Sequence, residues 1–196
     1  RVQDTVTYGG STAVGYPYGT SLSDAQIKQV VTNAISGPTA VWAPSANAIY
    51  FVLTSADVTA SSGFCTSYCG WHTYATINGT AIKYSFVGNP DRCPNACEAQ
   101  TASSPNDNPG ADGMASIIAH ELEEAASDPQ LNAWYDRRGY ENADKCAWTF
   151  GTPYTVANGS QANMALPTGA LPSAQKNFLI QRNWVNSGAG YCAVAF

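Results

Sequence analysis

Six cysteines, Cys65, Cys69, Cys93, Cys97, Cys146 and Cys192, constrain this 196-residue chain more than any other feature. An even count in a chain of this size reads as a disulfide framework. Two close pairs, Cys65/Cys69 and Cys93/Cys97, suggest two local staples. That leaves Cys146 for Cys192, a long bridge tying the C-terminal strand to the segment after the central helix. The rival reading is a zinc site made of two C-x3-C pairs, a spacing unusual for zinc ribbons.

Composition favours the oxidised reading. Charged residues make up only 12% of the chain, against about 25% in average globular proteins, so the surface must rely on uncharged polar residues and Tyr. Two Asn-x-Ser/Thr sequons, at Asn78 and Asn158, both fall in Asn-Gly turns where a glycan would be exposed. No signal peptide is visible, and the start at Arg1 reads as that of a mature form. The expected protein is a secreted, extracellular glycoprotein. A net charge of −5 and a pI of about 4.8 argue against nucleic acid as a partner. No apolar run approaches the ~20 residues a membrane span needs. The chain reads as a monomer.

The coarse organisation is one α+β domain over residues 1–196, without repeats or linkers. Ser23-Asp24 caps an amphipathic helix with Ile27, Val30, Val31, Ala34 and Ile35 on one face, ended by Gly37-Pro38. "AIYFVLTSADV" (Ala48 to Val58) reads as a buried strand, and "SSGFCTSYCGWHTYATING" as a stapled loop. "TAIKYSFVGNP" is a second strand, alternating through Ile82, Tyr84 and Phe86. A polar loop follows, then a helix from about Gly113 to Ser127 with Asp112 as its expected N-cap and Pro129 just past its end. "KNFLIQRNWV" is expected to be a C-terminal strand.

The central helix carries His120-Glu121-Leu122-Glu123-Glu124, one residue away from the zinc-peptidase motif H-E-x-x-H. With His120 at 0° and about 100° per residue, Glu124 falls near 40°, Asp128 near 80° and Glu121 near 100°. Met114, Ile118, Leu122 and Ala125 form an adjacent apolar band, and Glu123 points away from both groups. Residues at i and i+4 stack one turn apart and can share one metal ion. A carboxylate binds zinc at about the same distance as an imidazole, so Glu124 can stand in for the second histidine. Glu121 would take the role of base toward a metal-bound water. The bland alternative is a solvated acidic face. Against it, the chain has only two histidines, His72 and His120, and concentrates three of its few glutamates here.

A zinc site needs a third protein ligand. Asp128 lies about 12 Å along an unbroken helix from His120. Ser127 and Gln130 occupy the positions where a metzincin has its glycine and third histidine. Glu141, in "GYENADKC", is the favoured ligand, with Asp144 resembling its supporting acid. His72, in "YCGWHTY", is the other serious contender, as ligand or as a donor to the transition state. Asp136 is weaker. The loop "PNDNPGAD" also offers oxygen ligands of the kind a structural Ca2+ accepts.

Taken together, "AIYFVLTSADV", "GFCTSYCGWHTY", "VGNPDRCPNAC", "DGMASIIAHELEEAASDPQLNAWYD" and "ENADKC" resemble the phosphate-induced protein 1 / Exordium family, in its fungal and bacterial members that keep H-E-x-x-E. The resemblance runs from about residue 45 to the end. It implies an extracellular protein, associated in plants with cell walls. It also matches the paired cysteines, His72 of the "CGWH" block, and Glu141 and Asp144 of the "ENADKC" block. Retention of the whole set implies a working metalloenzyme.

The leading expectation is therefore a zincin-like fold, a mixed or antiparallel sheet packed on a metal-binding helix. The function expected of it is that of a secreted zinc-dependent endopeptidase acting on protein or peptide substrates. Zn2+ would be held by His120, Glu124 and Glu141, with Glu121 and His72 catalytic. The alternative is a non-catalytic extracellular protein that binds cell walls or glycans, its aromatic residues stacking on sugars.

Overall fold

The computed structural model describes residues 5–167 and 175–195. A short strand β1 (Ser21–Leu22) leads into helix α1 (Asp24–Ser36). Ser23 caps α1 in a complete capping box with Gln26, and Ile27, Val31 and Ile35 form its buried stripe, as the sequence pattern requires. Strands β2 (Ile49–Leu53), β4 (Gly70–Ile77) and β5 (Thr80–Val87) form a three-stranded sheet, and β3 (Thr59–Ala60) pairs with β1. The sheet is mixed, with β5 central, parallel to β2 and antiparallel to β4. Asn78 and Gly79, both at positive φ, make the tight β4–β5 turn. The α+β class and the mixed sheet hold as expected.

Three sequence readings need correction here. The first strand is shorter than the apolar run and only half-buried, because it lies at the sheet edge. The segment read as a stapled loop contains β4, the partner of β5 along its whole length. Its alternation had been masked by polar residues and by the cysteines in front of it. The run "KNFLIQRNWV" is two strands, β9 (Gln175–Phe178) and β10 (Asn183–Val185), interrupted at residues 179–182. Gln181 turns inward there: its N–H donates to Ser116 Oγ, and its side-chain carbonyl accepts the Trp148 N–H.

The central strand is buried on both sides. Ile82, Tyr84 and Phe86 join the α1 residues, Phe64 and Val58 in the main core. Ser85 and Val87 point to the opposite face and are also fully buried. Cross-strand pairing puts His72 opposite Ser85 and Gly70 opposite Val87 on that second face. Helix α2 (Pro94–Cys97) is a single turn, and α3 (Pro109–Ser127) packs on β4 and β5 from the second face. A Cβ at Gly70 would lie 2.6 Å from Ile117 and 2.9 Å from the Phe86 carbonyl oxygen, so a glycine there lets α3 sit close to the strand.

Helix α3 starts earlier than expected. Asn108, not Asp112, is its N-cap, accepting from the Ala111 N–H, and Pro109 occupies the first turn. Asp112 instead turns into the protein, where its carboxylate accepts from the Asn106 N–H and side-chain amide. The buried face also differs from the apolar band. Asp112, Ser116, Ile117, Glu121, Glu124 and Ala125 are buried, whereas Met114, Ile118 and Leu122 are only half-covered. A helix face lined with acids is interior because it meets polar partners rather than water.

The small strands β6 (Tyr154–Thr155), β7 (Gln161–Ala162), β8 (Met164–Pro167), β9 (Gln175–Phe178), β10 (Asn183–Val185) and β11 (Tyr191–Ala193) pair as three two-stranded ribbons. All six cysteines are bridged. Cys146–Cys192 is the pair expected, but the other two are Cys65–Cys93 and Cys69–Cys97. Instead of two local staples, the C-x3-C segments lie side by side and are cross-linked twice, so the loop before β4 is tied to α2. Among the described residues no helix is long and apolar enough to cross a membrane.

Near the start of α3, Glu98 is buried, and burial followed by the neighbouring Asp91 pushes its carboxyl up to about 7. A folded-state value above the ordinary one means that the protonated form favours the fold. That contribution is fully present below about pH 4.5 and is lost as pH rises through about 7. The Glu98→Gln variant is expected to lose less thermal stability than the wild-type chain between pH 4.5 and pH 8. Melting curves at both pH values check this, and equal losses in the two proteins would refute it.

Candidate functional site

The site forms where β4, α3 and the turn after α3 converge. Strand β4 supplies His72, on the sheet face that α3 covers, and the ring is buried. One turn of α3 supplies His120, Glu121 and Glu124. The i, i+4 spacing brings His120 Nε2 to 3.0 Å from Glu124 Oε1, as expected of that spacing. Glu121 and Glu124 are each only 4% exposed. The chain reverses after α3 at Asp128, whose Oδ1 accepts from the Asn132 and Ala133 N–H groups. This reversal returns Glu141 and Asp144 to the helix.

Among the described residues, two groups of three potential ligands share Glu124. The inner group is His72, Glu121 and Glu124, with His72 Nδ1 3.5 Å from Glu121 Oε2 and 3.6 Å from Glu124 Oε2. The outer group is His120, Glu124 and Asp144, with His120 Nε2 3.5 Å from Asp144 Oδ1. The Asp144 N–H also donates to Glu124 Oε1. Glu141 belongs to neither group; its Oε1 stands 3.7 Å from His72 Nε2. Asp144, expected only as a supporting acid, thus approaches His120 more directly than Glu141 does. Asp136 lies in a separate turn, accepting from the Arg138 and Tyr140 N–H groups and pairing with Lys145. Asp128 meets the cluster through its main chain, its carbonyl oxygen lying 3.3 Å from His72 Nε2.

The electrostatics follow from acids outnumbering bases in a buried space. Burial alone would lower both histidines. The carboxylates overcome it: Glu121 and Glu124 push His72 up to about 10, and Asp144 and Glu124 do the same to His120. Glu124 is also pushed up by burial, but the two imidazoliums win and hold it at about 2. Burial pushes Glu121 up, with His72 opposing. Glu141 is raised to about 8 by burial and by the Glu124 charge. Each imidazole is thus stabilised in its charged form by the carboxylates it faces. His/carboxylate donors of this kind can equally hold a divalent ion.

A cleft of about 330 Å³ opens beside the cluster. Thr66, Ser67 and Tyr68 of the stapled loop line it together with Trp148 and Gln181, and His120, Glu121 and Asp144 contribute acid and imidazole groups. Trp148 is 46% exposed and sits at a φ of 57°. That left-handed conformation is rare for a bulky residue and costs on the order of 1–3 kcal/mol. It is held by the Gln181 hydrogen bond and by the Cys146–Cys192 bridge two residues back. Sequence reasoning missed Trp148, Tyr68 and Gln181. The only signal for Trp148 and Tyr68 was the presence of five Trp and eleven Tyr, residues that are more often core, and nothing marked Gln181.

The profile of the phosphate-induced protein 1 conserved region matches residues 2–187. The chain belongs to this family. Protein EXORDIUM-like 3 of Arabidopsis thaliana is 30% identical over 90% of this chain, and protein EXORDIUM-like 5 of the same plant is 35% identical over 61%. Protein PHOSPHATE-INDUCED 1 of Nicotiana tabacum is 31% identical over 61%. The matches take in 58%, 37% and 41% of those relatives' own lengths. These are Exordium and phosphate-induced proteins, not known proteases, which overturns the reading of the chain as a secreted zinc endopeptidase. No solved structure matches the chain, so the expected kinship with zincin folds finds no support there.

Proposed function

We propose that this member of the phosphate-induced protein 1 family is a non-catalytic extracellular protein that binds cell-wall glycan in the cleft beside Trp148. The observation that carries this reading is an exposed indole held on a strained backbone at the wall of an open cleft lined by both polar and apolar groups. An indole face stacks on the apolar face of a sugar ring. Hydroxyl, amide and carboxylate groups around it then take the sugar's hydroxyls, which is the mixture of apolar platform and fixed polar groups that small-ligand sites use. The buried acids fit a binding role as well, since they shape one side of the cleft. Three disulfides and an exposed Asn78 sequon support the extracellular assignment.

Affinity electrophoresis against a panel of wall polysaccharides tests the proposal. At least one should retard the wild-type protein, and Trp148→Ala should weaken that binding about tenfold, the effect of losing one aromatic stacking contact of about 1.4 kcal/mol. Equal retardation of the variant and the wild type, or no retardation by any polysaccharide, would sink it.

A further inference from the structure

We infer that the inner group, His72, Glu121 and Glu124, binds one divalent metal ion of the zinc class. The separations point to an ion rather than to direct hydrogen bonds. His72 Nδ1 stands 3.5 Å and 3.6 Å from the two carboxylate oxygens. A charge-assisted N–H···O bond would be about 2.7–2.9 Å. Donors arranged tetrahedrally at zinc bond lengths of about 2.0–2.2 Å lie roughly 3.3–3.6 Å apart, which is the spacing from His72 Nδ1 to each carboxylate, and all three donor atoms lie within 4.8 Å of one another.

The second observation comes from the other side of the ring. His72 Nε2 faces the main-chain carbonyl oxygen of Asp128 at 3.3 Å. A histidine whose outer N–H donates to a carbonyl presents the opposite nitrogen as a lone pair, in a fixed orientation, and metal-binding histidines are oriented in this way. Asp128 itself is fully buried and pinned by two main-chain N–H groups, so that carbonyl is rigidly placed.

The outer group has this spacing only between His120 Nε2 and Asp144 Oδ1, at 3.5 Å, and among the described residues has no carbonyl behind its ring. His120 Nε2 and Glu124 Oε1 are already at hydrogen-bonding distance, and the same oxygen accepts the Asp144 N–H. Among the described residues His120 Nδ1 is buried without a hydrogen-bond partner, so that ring is held only from its Nε2 side, the side that would have to face the ion. The Asp144 side chain is 41% exposed, whereas the three inner side chains are 2–5% exposed. The donor set of one imidazole and two carboxylates suits zinc, and the imidazole disfavours calcium, which takes oxygen ligands. Glu121 also lines the cleft, so the ion lies against the wall of the glycan site. Its role is that of a bound ion, and no hydrolytic step is assigned to it.

Zinc titration of the chelator-stripped, disulfide-intact chain tests the assignment. One equivalent is expected to bind, and zinc at a hundredfold its dissociation constant should raise the melting midpoint by about 5–10 °C. The isosteric variants His72→Gln, Glu121→Gln and Glu124→Gln should each lose at least about tenfold in zinc affinity. His120→Gln and Glu123→Gln, the latter exposed on the same helix, should bind within a few-fold of wild type. If the inner variants fail to fold, Co2+ titration of the wild-type chain still decides: absorption of a low-coordinate histidine–carboxylate site supports the assignment, and the spectrum of hydrated cobalt overturns it. Absence of zinc binding by the wild-type chain overturns it too, as does retention by His72→Gln with loss in His120→Gln. Polysaccharide binding is scored separately, so either proposal can fail alone.

Discussion

Phe86→Ala is expected to lower the unfolding free energy by about 3–5 kcal/mol, the cost of removing a large ring from a packed core. Phe86 is fully buried on the central strand. Phe64 meets it edge-on at 5.5 Å, Tyr68 edge-on at 6.4 Å, and Trp71 stacks on it at 6.0 Å. Those three rings come from the stapled loop and β4, and neither segment can move in to fill the space. The loop is held by two disulfides, and β4 is held by its ladder with β5. For a chain of this length the loss corresponds to a fall in melting midpoint of about 10–15 °C. Thermal melts followed by circular dichroism check it. Phe86→Leu, which refills most of the volume, should recover the larger part. A midpoint for Phe86→Ala within a degree or two of wild type would show that the aromatic group is not a packed core.

Replacing both Cys146 and Cys192 with serine is expected to cost about 4 kcal/mol, from the chain entropy regained when a 46-residue separation is no longer cross-linked. The bridge joins β11 to the turn that carries Asp144 at one side and Trp148 at the other. Its loss should therefore weaken polysaccharide binding as well as stability. Denaturant titration of the oxidised wild type and the double-serine variant checks the first effect. Equal midpoints would refute it. Non-reducing peptide mapping separately checks the remaining bridges. A Cys65–Cys93 and a Cys69–Cys97 peptide are expected, and a Cys65–Cys69 peptide would restore the local-staple reading.

Much of the framework was legible because it depends on local chemistry. Ser23-Asp24 marks the start of α1. The period-two run Ile82, Tyr84, Phe86 marks β5, and the Asn78-Gly79 pair marks a tight turn. The i, i+4 relation of His120 and Glu124 is a property of any helix, and the structure keeps it at 3.0 Å. Strand β4 was not legible, since Gly70, His72 and Tyr74 are a weak apolar set; it is a strand because β5 supplies its ladder. The interior character of Glu121 and Glu124 was hidden too, since a helix face rich in acids looks solvated until a histidine from another element is placed against it.

The division between the two sources of information is therefore physical. Capping, periodicity and turn preference act between residues a few positions apart, and the sequence by itself determined helix α1, the body of α3, the central strand and the potential of His120, Glu121 and Glu124 to act together, whereas Cys146–Cys192 was only the pair left over by two staples that the structure replaces. Only the tertiary structure decided which cysteines cross-link the stapled loop to α2, that His72 meets Glu121 and Glu124, and that Trp148 stands at an open cleft. Those outcomes depend on the packing of α3 against Gly70 and on the chain reversal at Asp128. Both bring together groups far apart in sequence, and no local preference encodes such an approach.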